Sequence, residues 1–330
     1  MMMPLLKPRL KPLCVATLLS LAVPVAAEPA TAPEFIDTFA KIFGEHPGVR
    51  KGHAKGICVA GDFQGAAAIQ PYSKSVLFSG DTYPLLGRFS MAGGNPKAAE
   101  NSRSPRGLAL QIKLNNGELQ HFALLSTPMF GAKDPESFLG LLKTLIPGPD
   151  GKPDMAKVAA YRAAHPDTQA QAKYLASTPP PASYANTPYF GLHSFMLSNQ
   201  NEQQQAVRWQ LQPVDGVKGL NAAEIAAKPS EFLQQRLAKQ LQQGPVQFKL
   251  QLVLAEAGDN LLDPSIVWPA SRKTLDAGLV TLRTQGDNAC DSINFDPNVL
   301  SNGISPSADP ILAMRSAAYA ISFGKRLTGH

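Results

Sequence analysis

The feature that most constrains this chain is a hairpin pattern: an alternating apolar run from Leu108 to Leu114, the turn Asn115-Asn116-Gly117, then a second run from Leu119 to Leu125. Alternation with a period of two places one set of side chains on one face of a strand. An Asn-Gly turn supplies the positive φ that a tight reversal needs. Antiparallel sheet is therefore expected at the centre of the fold.

Other segments extend that sheet. Shorter strands are expected near 57–63, 75–79 and 85–91, and further strands at 190–198, 205–213, 246–256 and 278–284. Helices fall between them. Phe35, Ile36, Phe39, Ile42 and Phe43 recur at helical spacing and stop near Gly44 and Pro47-Gly48. Ser137 to Ile146 is an apolar helix ended by Pro147-Gly148-Pro149. Residues 154–176 form two short polar helices parted by Pro166, and Thr178-Pro179-Pro180-Pro181-Ala182 is a stiff loop. An amphipathic helix spans 229–243 through Phe232, Leu233, Leu237 and Leu241. The stretch 286–308 is irregular. Pro310 opens a last helix, with Asp309 as its N-cap. Strands dominate both halves without βαβ alternation, so the class is α+β. No internal repeat or domain-scale linker divides the chain.

The N-terminus reads as an export signal. Lys7, Arg9 and Lys11 precede an apolar run from Leu13 to Val25, and Val25-Ala26-Ala27 is a small-residue cleavage site. An uncleaved anchor is the alternative, but the run is short for a membrane span. The expected division is a signal peptide at 1–27, a linker at 28–33 and one domain at 34–330, located in the periplasm. No later stretch approaches membrane length. The signal holds three cations and no acid, so its removal lowers the formal charge from +6 to +3. Little then argues for nucleic acid as a partner. Cys14 leaves with the signal. Cys58 and Cys290 remain, and the sequence leaves open whether they pair or stay as two buried thiols.

Three clusters carry chemistry. Arg315 precedes Tyr319 by four residues and Arg326 follows it by two turns, so all share one face of the last helix. A tyrosine binds ferric iron as a phenolate, and a cation beside it favours that form. His53 sits in the Gly-punctuated loop Arg50-Lys51-Gly52-His53-Ala54-Lys55-Gly56, where it could act as a base. Arg88 and Ser90 flank Phe89 and point to one strand face, followed by Arg103-Ser104-Pro105-Arg106-Gly107.

In order along the chain these motifs, with Ser126-Thr127-Pro128-Met129-Phe130, Asp263-Pro264, Trp268-Pro269 and Phe295-Asp296-Pro297, resemble those of haem catalases. The resemblance runs from about residue 34 to 327. The short length and export signal are most similar to the catalase-related peroxidases, small bacterial relatives without the long arms and extra domain of full catalases. It implies an antiparallel β-barrel with surrounding helices, and haem between barrel and C-terminal helix. It also implies that Tyr319 is the axial iron ligand, with Arg315 stabilising its phenolate. His53 becomes the distal base, Ser90 orients its ring, and Arg50, Arg88 and Arg326 pair with haem propionates. Phe138 lies against the haem, which is expected to be haem b.

One departure stands out. Where catalases carry two asparagines before Thr-Pro, this chain has Leu125 and Ser126. The distal amide is gone, and with it a donor for bound peroxide. The implied activity is a peroxidase that reduces hydrogen peroxide or organic hydroperoxides with an external electron donor and has weak or no catalase turnover. The alternatives are an allene-oxide-synthase-like rearrangement of lipid hydroperoxides and a non-catalytic haem-binding envelope protein. A monomer or dimer is expected.

Overall fold

The computed structural model describes residues 29–329. The signal peptide expected at 1–27 lies outside them. Helix α1 spans Ala32–Phe43 and starts two residues inside the expected linker. Thr31 and Glu34 close a capping box there, which satisfies the first amides and extends the helix toward its N-terminus.

The sheet strands are β1 (Gly56–Gly65), β2 (Thr82–Met91), β3 (Arg106–Lys113), β4 (Leu119–Leu125), β5 (Tyr189–Phe190), β6 (Phe195–Ser198), β7 (Gln204–Pro213), β8 (Val246–Leu254), β9 (Thr274–Gln285) and β10 (Ile304–Pro306). Every pairing is antiparallel. The order β4-β3-β2-β1-β9-β8 closes on itself because β7 pairs with both β8 and β5, and β5 with β4. The result is a barrel, with β6 and β10 added at its edge. The expected α+β class and antiparallel barrel are both present. At the β3–β4 reversal, Gly117 adopts φ 86° and its amide donates to the Leu114 carbonyl at 3.0 Å.

The barrel interior is apolar. Phe63, Phe89, Tyr189, Phe248 and Leu250 are buried within one continuous core. Each such side chain contributes roughly 1.5–3 kcal/mol by leaving water. Helix α6 (Phe232–Gln243) inserts Phe232, Leu233 and Leu237 into the same core. It begins at Phe232 and not at Pro229. The reason is that residues 228–230 serve other groups: Asn101 Nδ2 donates to Lys228 O, and Lys55 Nζ donates to Ser230 O. The buried Glu100 carboxylate, from a distant loop, accepts from the amides of Leu233 and Gln234 and caps the helix in its place.

Three further expectations need correction. The apolar run at 75–79 is a 3-10 turn and not a strand, because Ser75 Oγ accepts from the Leu77 amide and turns the chain. The strand expected at 190–198 is two strands broken at Gly191–Ser194. Gly191 has no space for a side chain against the Trp209 indole, so the chain leaves the ladder there. A short helix, α5 (Ala222–Ala226), forms where none was expected, through an Asn221–Glu224 capping box.

The other helices are α2 (Pro135–Thr144), α3 (Met155–Ala164), α4 (Ala170–Ser177) and α7 (Pro310–Thr328). Phe35, Leu139 and Leu142 form a small second core with Phe39, Phe138 and Met314, joining α1, α2 and α7 outside the barrel. Cys58 and Cys290 are joined in a disulfide with Cα atoms 5.5 Å apart, which decides the pairing that the sequence left open. No helix among the described residues is long and apolar enough to cross a membrane.

Phe89 stacks on Tyr184 with ring centroids 5.0 Å apart and is fully buried. Phe89→Ala is expected to destabilise the fold by about 3–5 kcal/mol. In urea unfolding this appears as a lower midpoint at unchanged slope.

Candidate active site

The alternation of β2 builds the barrel side of the site. Phe89 points into the core, so Arg88 and Ser90 point to the outer face. Register then aligns three strands: Ser90 lies opposite Gly107, and Gly107 opposite Leu125. One row of side chains thus runs across β2, β3 and β4 into a cavity of about 270 Å³. The row beside it is Cys58, Arg88, Ala109 and Ala123.

Helix α7 supplies the other side. Its cavity stripe is Ile311, Met314, Arg315, Ala318, Tyr319, Ser322, Phe323 and Arg326, the i, i+3, i+4 spacing of one helical face. Phe35 and Phe39 of α1, Phe138 of α2 and the loop residues Phe130, Leu192 and Phe295 also line it. The residues expected to bind or act on a cofactor all meet this one cavity: Arg50, His53, Arg88, Ser90, Phe138, Arg315, Tyr319 and Arg326. Arg103 and Arg106 of the third cluster do not.

His53 Nδ1 lies 2.9 Å from Ser90 Oγ. The His53 backbone has φ 54°, a left-handed conformation uncommon outside glycine. Arg88 holds it there: its Nη1 donates to His53 O at 2.7 Å and its Nη2 to Ala54 O at 2.9 Å. Both Arg88 hydrogen bonds thus brace the histidine loop. Burial, then the charges of Arg88, Arg315 and Arg50, pushes His53 down to about 3, so the ring is neutral at physiological pH. Gly107 makes the pair possible. A Cβ on Gly107 would lie 2.6 Å from Ser90 Oγ and 2.8 Å from His53 Nδ1. Gly107 was visible in the sequence only as part of the Arg106-Gly107 motif.

On the helix side, Arg315 Nη2 donates to Tyr319 Oη at 2.6 Å, and Arg315 Nη1 lies 3.1 Å from His193 Nε2. His193 Nδ1 lies 2.6 Å from Asp309 Oδ2, with both side chains buried. Burial lowers the His193 pKa against the pull of Asp309, so the ring is neutral. It then donates from Nδ1 to Asp309 and accepts at Nε2 from Arg315. Asp309 also caps α7 through its other oxygen, which accepts from the Ile311 and Leu312 amides. Sequence reasoning found Asp309 as a cap and missed His193 altogether. Its only signal was an isolated histidine inside a strand-like run.

The third feature is a cluster of guanidinium groups. Burial, then Arg88 and Arg326, pushes Arg50 down to about 9, and burial pushes Arg88 down to about 10. All remain cationic at neutral pH. Arg326 Nη2 is buried without a hydrogen-bond partner among the described residues. A half-buried cation with a buried, idle donor calls for an anionic group. An apolar slot, a guanidinium-backed phenol, an imidazole and a cluster of cations with an unsatisfied donor fit haem, whose two carboxylates and flat macrocycle match that donor set.

A family model described as Catalase matches residues 31–330. A catalase-related peroxidase of Synechococcus elongatus is 44% identical over 319 residues, covering 96% of this chain and 94% of that protein. One from Mycolicibacterium paratuberculosis is 32% identical and covers 88% of this chain and 93% of that protein. A fungal catalase crystal structure superposes with a TM-score of 0.77 at 23% identity, over 89% of this chain and 62% of that one.

Arg315→Leu removes the hydrogen bond to Tyr319 and strands a phenol beside an apolar side chain. Ferric haem affinity is expected to fall about ten- to a hundredfold, the equivalent of a hydrogen bond to a charged group. Titration of the apoprotein checks this. Tyr319→Phe should abolish the absorption spectrum of a high-spin ferric, tyrosinate-ligated haem.

Proposed function

The chain belongs to the catalase family and is a haem-dependent peroxidase, and we propose that it reduces hydrogen peroxide or organic hydroperoxides with an external electron donor and with weak catalase turnover at most. The observation that carries this reading is the meeting, in one cavity, of the His53–Ser90 pair and the Arg315–Tyr319 pair, with Leu125 in the same cross-strand row as Ser90.

Tyr319 Oη would hold the iron, and Arg315 offers the N–H that would stabilise its negative charge. Arg50 and Arg326 would hold the carboxylates, and Phe138 would contact the macrocycle. Haem, expected as haem b, supplies when bound the redox chemistry that cleaves the O–O bond. The rest falls to side chains. His53 is neutral, so it can take a proton. With Nδ1–H donating to Ser90 Oγ, the lone pair on Nε2 is free for the peroxide O–H. His53 then returns that proton to the departing oxygen, which leaves as water or an alcohol. Leu125 donates no hydrogen bond. A second hydrogen peroxide, which must be held to act as reductant, is therefore poorly placed, and an external donor completes the cycle.

Leu125, Ala123 and Phe130 make that wall apolar, which favours hydroperoxides with a carbon chain. A non-catalytic haem carrier has no use for the His53–Ser90 hydrogen bond, nor for a glycine that spares it. We place the mature protein in the periplasm, exported by residues 1–27, as a monomer or dimer.

Three measurements test this reading. His53→Ala should retain haem and lose about 10²–10⁴ in peroxidase kcat/KM. An unchanged rate would mean that His53 is not the base. Leu125→Asn restores an amide donor and should raise oxygen release from hydrogen peroxide by up to about a hundredfold. Wild-type oxygen release at the level of a full catalase would overturn the peroxidase assignment. In the pH profile, the basic form of His53 is lost only as pH falls toward 3. Peroxidase kcat/KM should thus stay level between about pH 7 and 5, where a histidine of ordinary pKa near 6.5 would lose most of its base form.

A further inference from the structure

We infer that the Cys58–Cys290 disulfide is a positioning element for the carboxylate-binding end of the cavity: it holds the backbone that aims Arg50, and breaking it loosens haem retention while the barrel stays folded. This rests on the reading that the cavity holds haem. The disulfide lies outside the barrel core, in a small separate cluster of Cys58, Cys290, Ile293 and Phe295. Cys58 belongs to β1, in the same cross-strand row as Arg88. Cys290 belongs to the segment between β9 and β10, which has no regular structure from 286 to 303.

That segment is what Arg50 leans on. Arg50 Nη2 donates to Cys290 O at 3.1 Å and to Ile293 O at 3.0 Å. These are the hydrogen bonds its guanidinium makes to protein among the described residues. The guanidinium carbon also lies 5.7 Å from the Phe295 ring centroid. Arg50 itself stands in an irregular turn with no helix or strand to orient it. Asp291, next to Cys290, is the carboxylate whose field reaches Arg50, Arg88 and Arg326 together. One covalent bond therefore sets two acceptor carbonyls and the acidic neighbour of all three arginines.

The later half of the segment has its own ties. His121 N donates to Val299 O, and Asn298 Nδ2 donates to Leu312 O and Ser316 Oγ of α7. The half around 287–295 is held by the disulfide, by the Arg50 contacts, by short-range turns and by the packing of Ile293 and Phe295 against Leu86 and Ala109. Losing the disulfide should free that half, leaving α7 and Tyr319 in place.

The test is haem transfer from purified holoprotein to an excess of haem-scavenging apoglobin. Cys58→Ala with Cys290→Ala, and separately Arg50→Ala, should each speed transfer about tenfold, the scale of one lost charge-assisted hydrogen bond. Combining all three substitutions should be no faster than Arg50→Ala alone, because both act through the same guanidinium. A purely structural disulfide would instead give effects that multiply, which overturns the inference, as does an unchanged rate in the cysteine variant. If that variant does not fold, wild-type holoprotein treated with dithiothreitol gives the same comparison. The cysteines take up two electrons and two protons there, and the reagent becomes its cyclic disulfide. Amide exchange at 287–295 should rise on reduction while exchange in α7 does not. A wild-type protein that takes up no haem would end the peroxidase reading. Tight haem whatever the state of the cysteines would end this inference alone.

Discussion

The hydrogen bond from Arg315 to Tyr319 is the contact on which the site depends. A phenol can serve as an iron ligand only if something nearby prefers its anion, and a guanidinium donor at 2.6 Å does so. The arginine must in turn be held. Its other nitrogen meets His193, which is pinned by Asp309, the residue that caps α7. Helix start, phenol and counter-charge thus form one connected unit. Three hydrogen bonds link the helix cap to the phenol: Asp309 to His193, His193 to Arg315 and Arg315 to Tyr319.

The barrel side is organised by the opposite electrostatic demand. Arg50, Arg88 and Arg315 all bear on His53, and together with burial they keep its imidazole neutral. A neutral ring is what a base must be before it can accept a proton. The same cations that would attract acidic groups of a cofactor therefore keep this imidazole able to take a proton. Arg88 serves twice, since its carbonyl contacts also hold the unusual backbone of His53. Gly107 spares the room these groups occupy.

Much of the fold was legible in the chain. The β3–β4 hairpin, β2, the apolar faces of α1 and α2 and the Asp309 cap all follow local rules of period and capping, and those rules held. The misreadings have two causes: at α6 and at Gly191 a distant partner overrode local preference, while at Ser75 and at α5 a short-range side-chain cap did so. Ser75 turned an apolar run into a 3-10 turn. Glu100, far off in sequence, capped α6 and moved its start. Trp209 pressed on Gly191 and broke a strand, and that break placed His193 beside Asp309. No local pattern could have announced His193, because its role exists only once residues 116 positions apart come together.

By itself the sequence determined the alternation that puts Phe89 on one face of its strand and Arg88 and Ser90 on the other, and the helical spacing that puts Arg315, Tyr319 and Arg326 on one stripe. Both are consequences of backbone period, which needs no tertiary contact. It also determined that position 125 carries no amide donor, since a side chain's chemistry travels with its letter. The tertiary structure alone decided that the two faces enclose one cavity, that Cys58 and Cys290 join, and that His193 backs Arg315. Those facts depend on barrel closure and on register between strands far apart in the chain, where the energy lies in burial and pairing and not in any local preference.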